Sequence, residues 1–258
     1  MSSEDQAASS PRSALTLGAI GLTALAAFVA LMSLGVWQIE RRAWKLDLIE
    51  RVDQRVHAAP VAAPGPAEWP GITPQSDEYR RVIVTGSFAN DRETLVQAST
   101  ELGLGFWVLT PLRSSRGFEI LINRGYVPAD RRDPATRAAG RPSGQVTVTG
   151  LLRMTEPGGG FLRSNDPAAD RWYSRDVAAI AARRGLEQAA PYFVDADATG
   201  NPGGWPVGGL TVIAFNNNHL VYAVTWFGLA LMVAFGAWRV FLNERRIRRR
   251  GTVHKAGY

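Results

Sequence analysis

Residues 13–39 read SALTLGAIGLTALAAFVALMSLGVWQI, and no charged side chain interrupts them between Arg12 and Glu40. As a helix these 27 residues would be roughly 40 Å long, which exceeds the hydrocarbon core of a bilayer, about 30 Å thick. The run is too long for a signal peptide and no small-x-small cleavage site closes it. The opening MSSEDQ contains acids where a signal or mitochondrial transit peptide has Arg or Lys. The stretch therefore predicts an uncleaved membrane anchor.

A second apolar stretch lies near the other end of the chain. Residues 220–238 contain 19 uncharged side chains and end at Arg239, a length sufficient to cross a bilayer. Trp37, Tyr222 and Trp238 lie near the ends of the two stretches, where amphipathic aromatic rings meet lipid headgroups. We therefore predict two transmembrane helices.

The distribution of charge orients these helices. Residues 239–258 carry seven Lys or Arg and one Glu, a net charge of +6 that equals the net charge of the whole chain. The rest of the chain has no net charge, so we expect no nucleic acid partner. The basic tail instead indicates the cytoplasmic side of the membrane and attraction to anionic membrane lipid. Both termini are then expected in the cytoplasm, at a bacterial inner membrane, with residues 40–218 in the periplasm. Arg41, Arg42 and Lys45 lie on that far side, but long translocated regions largely escape the charge rule.

Between the apolar stretches the sequence changes to short runs rich in Val, Ile, Thr and aromatic residues. Gly, Pro, Asn and Asp separate them, which is typical of hairpins in a mainly antiparallel sheet that can close into a small barrel. One short helix is expected at SRDVAAIAARRG, with Ser174 as its N-cap and Gly185 as its stop. The predicted strands are YRRVIVTGSF (79–88), ETLVQAS (93–99), GFWVLTPLR (105–113), GFEILINRGYV (117–127), QVTVTGLLR (145–153), PYFVDA (191–196) and LTVIAFN (210–216).

The predicted fold class is a membrane-anchored α+β protein in which two transmembrane helices flank the β domain. The first helix is expected to continue to Pro60, because no helix breaker precedes it, and five prolines in PVAAPGPAEWPGITP predict an extended linker. The expected segments are a cytoplasmic N-terminus (1–12), transmembrane helix one (13–39), a helical extension (40–59), a Pro-rich linker (60–76), a periplasmic β-rich domain (77–218), transmembrane helix two (219–238) and a basic cytoplasmic tail (239–258).

The sequence gives little reason to expect an enzyme. It contains no cysteine, which excludes thiolate metal sites and CxxC redox chemistry. No GxSxG, HExxH, P-loop or GxGxxG motif is present. Asp195 and Asp197 form an acid pair, but carboxylates this close to Gly and Pro are typical of turns. A membrane-tethered hydrolase that uses such acids is kept as a minor alternative.

Among the three histidines, only His219 lies at the N-terminal end of a predicted membrane helix. At helical spacing, Tyr222 and Trp226 follow it on one face, together with two small residues, Ala223 and Ala230. His219 and Trp226 are then roughly 10 Å apart along the axis, a length comparable with a porphyrin plane. An imidazole can bind haem iron axially. The alternative is an interfacial histidine that hydrogen-bonds to headgroups, water or a loop carbonyl.

A series of sequence blocks lies between about residue 34 and residue 230. They are LGVWQIERRAWKLDLI, YRRVIVTGSF, GFWVLTPL, ILINRGYVP, VTVTGLLR, PYFVDA and GGLTVIAFNNNHLVYAVTWFGLA. In this order the blocks resemble the surfeit locus protein one (Surf/Shy) family of cytochrome c oxidase assembly factors.

The resemblance implies a role in maturing the haem a centres of oxidase subunit one, with haem a as a transiently bound ligand. His219 would then be the haem contact that ligates the metal, with Trp226 and Tyr222 in the same block. Arg41 or Lys45 could contact a haem propionate, although both also suit interface anchors. Oxidase subunit one and haem A synthase would be the protein partners.

The rival interpretation is a scaffold with no cofactor of its own, which would hold an assembly intermediate of subunit one.

Three further positions fall within the family blocks. Gly86 and Gly125 are expected at bulges or close backbone approaches. For Arg124 the sequence leaves two interpretations, a functional residue or a surface cation.

Overall fold

The computed structural model describes residues 12–160, 162–213, 215 and 217–255. The chain divides into two units, one formed by the residues up to Ile49 together with those from Phe215, and the other formed by Glu50–Ala214. Apart from Arg12, the expected cytoplasmic segment 1–12 lies outside the described residues.

Two long helices make up most of the first unit. Helix α1 spans Ala14–His57, with 44 residues, and the C-terminal helix, α4, spans His219–Lys255, with 37 residues. Within the described residues, their most apolar 18-residue windows have mean hydropathies of 2.2 and 1.9, and only 6% and 11% of those windows are buried. A core helix of a soluble protein would be mostly buried. The prediction of two apolar helices that flank the β domain is confirmed, and α1 runs through residues 39 and 40 without a break.

The two helices of this unit run antiparallel. Near the start of α1, the carbonyl oxygen of Arg12 accepts a hydrogen bond from Arg248 Nη2 at 3.2 Å. Further along α1, Gly35 is buried, and a Cβ there would overlap the ring of Phe227. Small residues at a helix crossing allow the backbones to approach closely.

The second unit is built on a sheet whose strands follow the order β1-β2-β6-β9-β5-β4-β3, with β2 also paired to β4. Five strands, β2, β6, β9, β5 and β4, therefore close into a barrel. Pairing is antiparallel except for β1 with β2 and β5 with β9. The strands are β1 Val61–Ala62, β2 Arg81–Phe88, β3 Thr94–Thr100, β4 Gly103–Ser114, β5 Glu119–Pro128, β6 Gln145–Met154, β7 Gly159–Gly160, β8 Arg163–Ser164 and β9 Ala189–Ala196. The predicted mainly antiparallel sheet and small barrel are confirmed.

Side-chain alternation fills the barrel and covers one outer face. On β5, Ile120 and Ile122 belong to the inner cluster, whereas Leu121 belongs to a second cluster with the short helix α3, Val177–Arg184. Both faces of β5 are thus buried, which explains why residues 120–122 are three consecutive apolar residues rather than an alternating pattern.

The predicted short helix exists, but its N-cap was placed wrongly. Asp176, not Ser174, caps α3, because its Oδ1 accepts a hydrogen bond from the Ala179 amide at 3.1 Å. The Ser174 hydroxyl instead donates to the Glu156 carbonyl at 2.6 Å. The stop at Gly185 is confirmed by its left-handed conformation, with φ of 63°.

Two other stretches differ from expectation. LTVIAFN was predicted as a strand, but none of its described positions, 210–213 and 215, is in one. Its β-branched residues favour extended backbone, yet the last pairing before it is the bridge from Val207 to Tyr126. The segment 60–76 is a packed element rather than an open linker, because Ala63 is buried and Trp69 meets Phe118 edge-on at 5.9 Å.

Shorter elements complete the chain. Helix α2 is Pro74–Asp77. Single 3-10 turns are present at Trp69–Gly71, Asn90–Arg92, Ala129–Arg131, Pro134–Gly140 and Pro202–Gly204.

The glycines singled out in the sequence lie at close backbone approaches, as expected. A Cβ on Gly86 would overlap the Arg113 carbonyl where β2 closes onto β4, and a Cβ on Gly125 would overlap the Val207 carbonyl. Gly125 also has a φ of 126°.

Gly125→Ala is expected to destabilise the β domain by roughly 2–5 kcal/mol, because backbone strain adds to a clash with a fixed carbonyl. Gly117→Ala is the matched control, since Gly117 has a φ of 85° but open space around it, and it should cost only about 1–2 kcal/mol. Thermal unfolding followed by circular dichroism measures both. Equal losses would contradict the role of the Val207 contact.

Candidate functional site

His219 is the first residue of α4 and is partly buried within the helical unit. Its Nδ1 lies 2.7 Å from Oε1 of Gln38 on α1. Among the described residues, Nε2 makes no hydrogen bond. One ring nitrogen is thus held by the protein, and the other is not held by the described residues.

The face of α4 that follows His219 is used differently from expectation. Ala223 and Ala230 are 2% and 0% exposed, so these small side chains admit close packing rather than leaving open space for a macrocycle. Trp226 is partly buried, and Tyr222 is 54% exposed. The helix therefore brings His219 and Trp226 to a common side, whereas Tyr222 lies off it.

Two polar atoms close to His219 in sequence are buried without a hydrogen-bond partner in the described chain. They are Nε1 of Trp226 and Oδ1 of Asn217. Orphaned buried polar groups are rare in native proteins and call for a reason. A bound molecule with its own donors and acceptors would supply one.

The predicted cationic residues lie on α1 beyond Gln38. The Lys45 ammonium is 5.2 Å from the ring centroid of Phe215, and Lys45 follows Gln38 by two helical turns on the same face. Arg41 stacks on Trp44 at 4.0 Å and is exposed. Of the two predicted cations, Lys45 is therefore the less exposed one.

The other two histidines lie near the C-terminal ends of α1 and α4. His57 is on the exposed end of α1, where Nδ1 lies 2.9 Å from the Asp53 carbonyl. His254 lies near the end of α4. Across the described residues there is no group of three or more His, Asp and Glu side chains that could hold a metal ion.

The β domain contains a second polar site, centred on Asp195. This carboxylate is 3% exposed and accepts hydrogen bonds from Asn123 Nδ2 at 2.7 Å, Arg153 Nη1 at 2.8 Å and Arg175 Nη1 at 3.2 Å. Thr211 Oγ1 also donates to it, at 3.0 Å. These side chains line a cavity of about 400 Å³ beside the barrel.

Two further acids complete this ion-pair network. Glu78 accepts from Arg153 Nε at 2.8 Å, and Glu156 accepts from Arg175 Nη2 at 2.5 Å. Burial raises the pKa of Glu156, but hydrogen bonding and charge attraction from Arg175 outweigh it, so that pKa lies below its ordinary value. Each acid is paired with an arginine, which is the arrangement of a structural ion-pair cluster.

Asp195 is therefore not a turn former, and that interpretation is wrong. Arg124 is not a surface cation either, since it is 2% exposed. Its Nη2 donates to the Gly140 carbonyl and to Asn201 Oδ1. Burial lowers the pKa of Arg124 to about 10, which leaves it charged at neutral pH.

Comparison with known proteins places this architecture in a family. The model of the SURF1 family matches residues 25–231. This chain belongs to the SURF1 family.

Several curated relatives are similar over most of their length. Surfeit locus protein 1 of Rattus norvegicus is 36% identical over 230 residues, which cover 82% of this chain and 72% of the relative. Surfeit locus protein 1 of Homo sapiens is 36% identical over 235 residues, with 83% and 75% covered. The SURF1-like protein of Monosiga brevicollis is 36% identical over 237 residues, with 86% and 87% covered. The SURF1 match thus includes the barrel and both Gln38 and His219.

For this SURF1 family member, the sequence singled out His219 but not the residue to which it is hydrogen-bonded. Gln38 belongs to one of the family blocks, but no contact with His219 was predicted for it. The sequence did contain a signal for Gln38. Its amide lies near the end of the uncharged run, one helical turn after Gly35 and two turns before Lys45. Helix spacing alone, however, does not say which helix faces it.

Proposed function

We propose that this SURF1 family member is a cytochrome c oxidase assembly factor that binds haem a through His219 and assists its insertion into oxidase subunit one. The observation that carries the proposal is the imidazole of His219, whose Nδ1 is bonded to Gln38 and whose Nε2 makes no hydrogen bond within the described part of the chain. It is proposed as a binding protein and not as an enzyme.

The number of donor groups favours haem over a simple metal ion. A protein zinc site needs three or four protein ligands, whereas the porphyrin already supplies four ligands to haem iron, and one histidine can complete the attachment. Among the described residues, His219 is not part of any group of three or more His, Asp and Glu side chains that could hold a metal ion. A single protein ligand also suits a carrier, because it permits release.

Neighbouring groups match other parts of a haem. The Lys45 ammonium could pair with a propionate, since charge-assisted hydrogen bonds to carboxylates are strong. The orphaned Nε1–H of Trp226 could donate to a polar substituent of the ring. Ala223 and Ala230 belong to the helix packing, so we place the macrocycle beside His219 and Trp226 rather than over the alanines.

The chain is proposed to lie in a cell inner membrane with both termini in the cytoplasm and the β domain in the periplasm. The antiparallel course of α1 and α4 and the basic tail support this topology. Subunit one and haem A synthase are the proposed partners, because haem a must be received from the enzyme that makes it and delivered to the oxidase.

The first test is an absorption spectrum. The protein is purified in detergent from cells that synthesise haem a, and the reduced-minus-oxidised difference is recorded. We expect a haem a band whose intensity is proportional to the amount of purified protein. If no band is present while subunit one still co-purifies, the protein acts as a cofactor-free scaffold.

A further inference from the structure

The contact between His219 and Gln38 defines the state of the imidazole. Oε1 of an amide accepts hydrogen bonds and cannot donate them. The 2.7 Å approach of this oxygen to Nδ1 is therefore a hydrogen bond only when Nδ1 carries the proton. In a neutral imidazole, the lone pair that can bind a ligand is then on Nε2.

We propose that Gln38 is a positioning residue, whose amide oxygen fixes His219 in the Nδ1-protonated form and presents Nε2 to an electron-poor ligand. The identity of that ligand as haem iron rests on the proposed function. The protonation form itself is a property of the ligand-free protein.

The helix pair supports this role by fixing where the amide lies. Gly35, one turn before Gln38, is buried against Phe227, and a side chain there would push the helices apart. At the opposite end, the bond from Arg248 to the Arg12 carbonyl joins the helices again. Gln38 is thus held at a defined distance from His219, as a positioning residue must be.

The neutrality of the amide also affects how strongly the ligand is held. Metal-binding histidines usually donate their second N–H to a carboxylate, carbonyl or water, which orients the ring and makes it more basic. A carboxylate polarises the ring more than an amide does. An amide therefore orients His219 while keeping it a moderate ligand, which suits a protein that has to release its cargo.

The test begins without haem. The chain has three histidines, so ¹⁵N-histidine labelling of the detergent-solubilised protein gives three ring systems, which His57→Ala and His254→Ala assign by elimination. Spectra are recorded above about pH 8, where an ordinary imidazole is neutral. We expect His219 to be protonated on Nδ1. Protonation on Nε2 would overturn the proposal.

Variants of Gln38 connect this state to ligand affinity. Gln38→Leu removes the acceptor and should shift the His219 proton toward Nε2 and weaken haem a binding by about 10–100-fold, as is typical when an outer-shell partner of a metal-binding histidine is lost. Gln38→Glu keeps an acceptor oxygen, so it should retain the Nδ1–H form, bind at least as tightly and lower the reduction potential of the bound haem.

The matched control is Gln54→Leu, on the same helix, where the side chain bonds only to Glu50. It should change neither the ring proton nor the affinity. If Gln38→Leu behaves like Gln54→Leu in both measurements, Gln38 has no positioning role. If the wild type binds no haem a, the proposed function fails, but the ring proton of His219 still decides whether Gln38 fixes its form.

Discussion

His219→Ala is expected to abolish the haem a band of the purified protein. The substitution removes the proposed iron ligand, and no group of three or more His, Asp and Glu side chains among the described residues could replace it, so affinity should fall by more than the roughly 100-fold that marks the loss of an outer-shell partner. The fold should survive, because His219 begins α4 and its side chain makes one hydrogen bond, to Gln38, among the described residues. Reduced-minus-oxidised spectra and haem titration measure the effect.

His57→Ala provides the matched control for this experiment. Its imidazole is also bonded through Nδ1, but to a carbonyl of its own helix at an exposed position, so the haem a band should be unchanged. Added imidazole should partly restore the band in His219→Gly by filling the vacated ligand position. A band of equal size in His219→Ala and His57→Ala would exclude His219 as the ligand.

Asp195→Asn is expected to destabilise the β domain by about 3–5 kcal/mol, the usual cost of removing one partner from a buried ion pair. The substitution leaves Arg153 and Arg175, each with 14% side-chain exposure, without the charge between them. Its new amide group would also face the N–H donors of Asn123. Thermal unfolding of the full-length protein in detergent, followed by tryptophan near-UV circular dichroism, measures the loss.

Asp197→Asn is the matched control for Asp195→Asn. Asp197 is only two residues away, but its Oδ1 accepts a single backbone hydrogen bond, from Thr199, at 3.0 Å. Its replacement should cost about 1 kcal/mol or less. If both variants lose the same stability, the network around Asp195 contributes little to the fold.

Local patterns in the sequence were sufficient to predict the main elements. An uncharged run long enough to cross a bilayer predicted each apolar helix, and β-branched runs bounded by Gly and Pro predicted the barrel strands. The stop of α3 at Gly185 followed from the freedom of glycine to adopt the left-handed conformation. These signals lie within the elements themselves, so no knowledge of tertiary contacts was needed.

Features that depend on distant partners were not predictable in the same way. The DAD pattern at Asp195 is typical of a turn, and nothing near it shows that Arg153 and Arg175 converge on it. LTVIAFN has the composition of a strand, but none of its described positions, 210–213 and 215, pairs with another strand. The role of Ser174 was misjudged because a carbonyl 18 positions earlier in the chain competes for its hydroxyl.

The separation of Gln38 and His219 along the chain has a consequence for biosynthesis. The two residues are 181 positions apart, and ribosomes add about 5–20 residues per second. The amide therefore waits roughly 10–40 s for its imidazole partner to be translated. Any chain that terminates prematurely before α4 carries the amide alone. If His219 is the ligand residue, as proposed, ligand binding is reserved for polypeptides whose translation has passed the whole barrel.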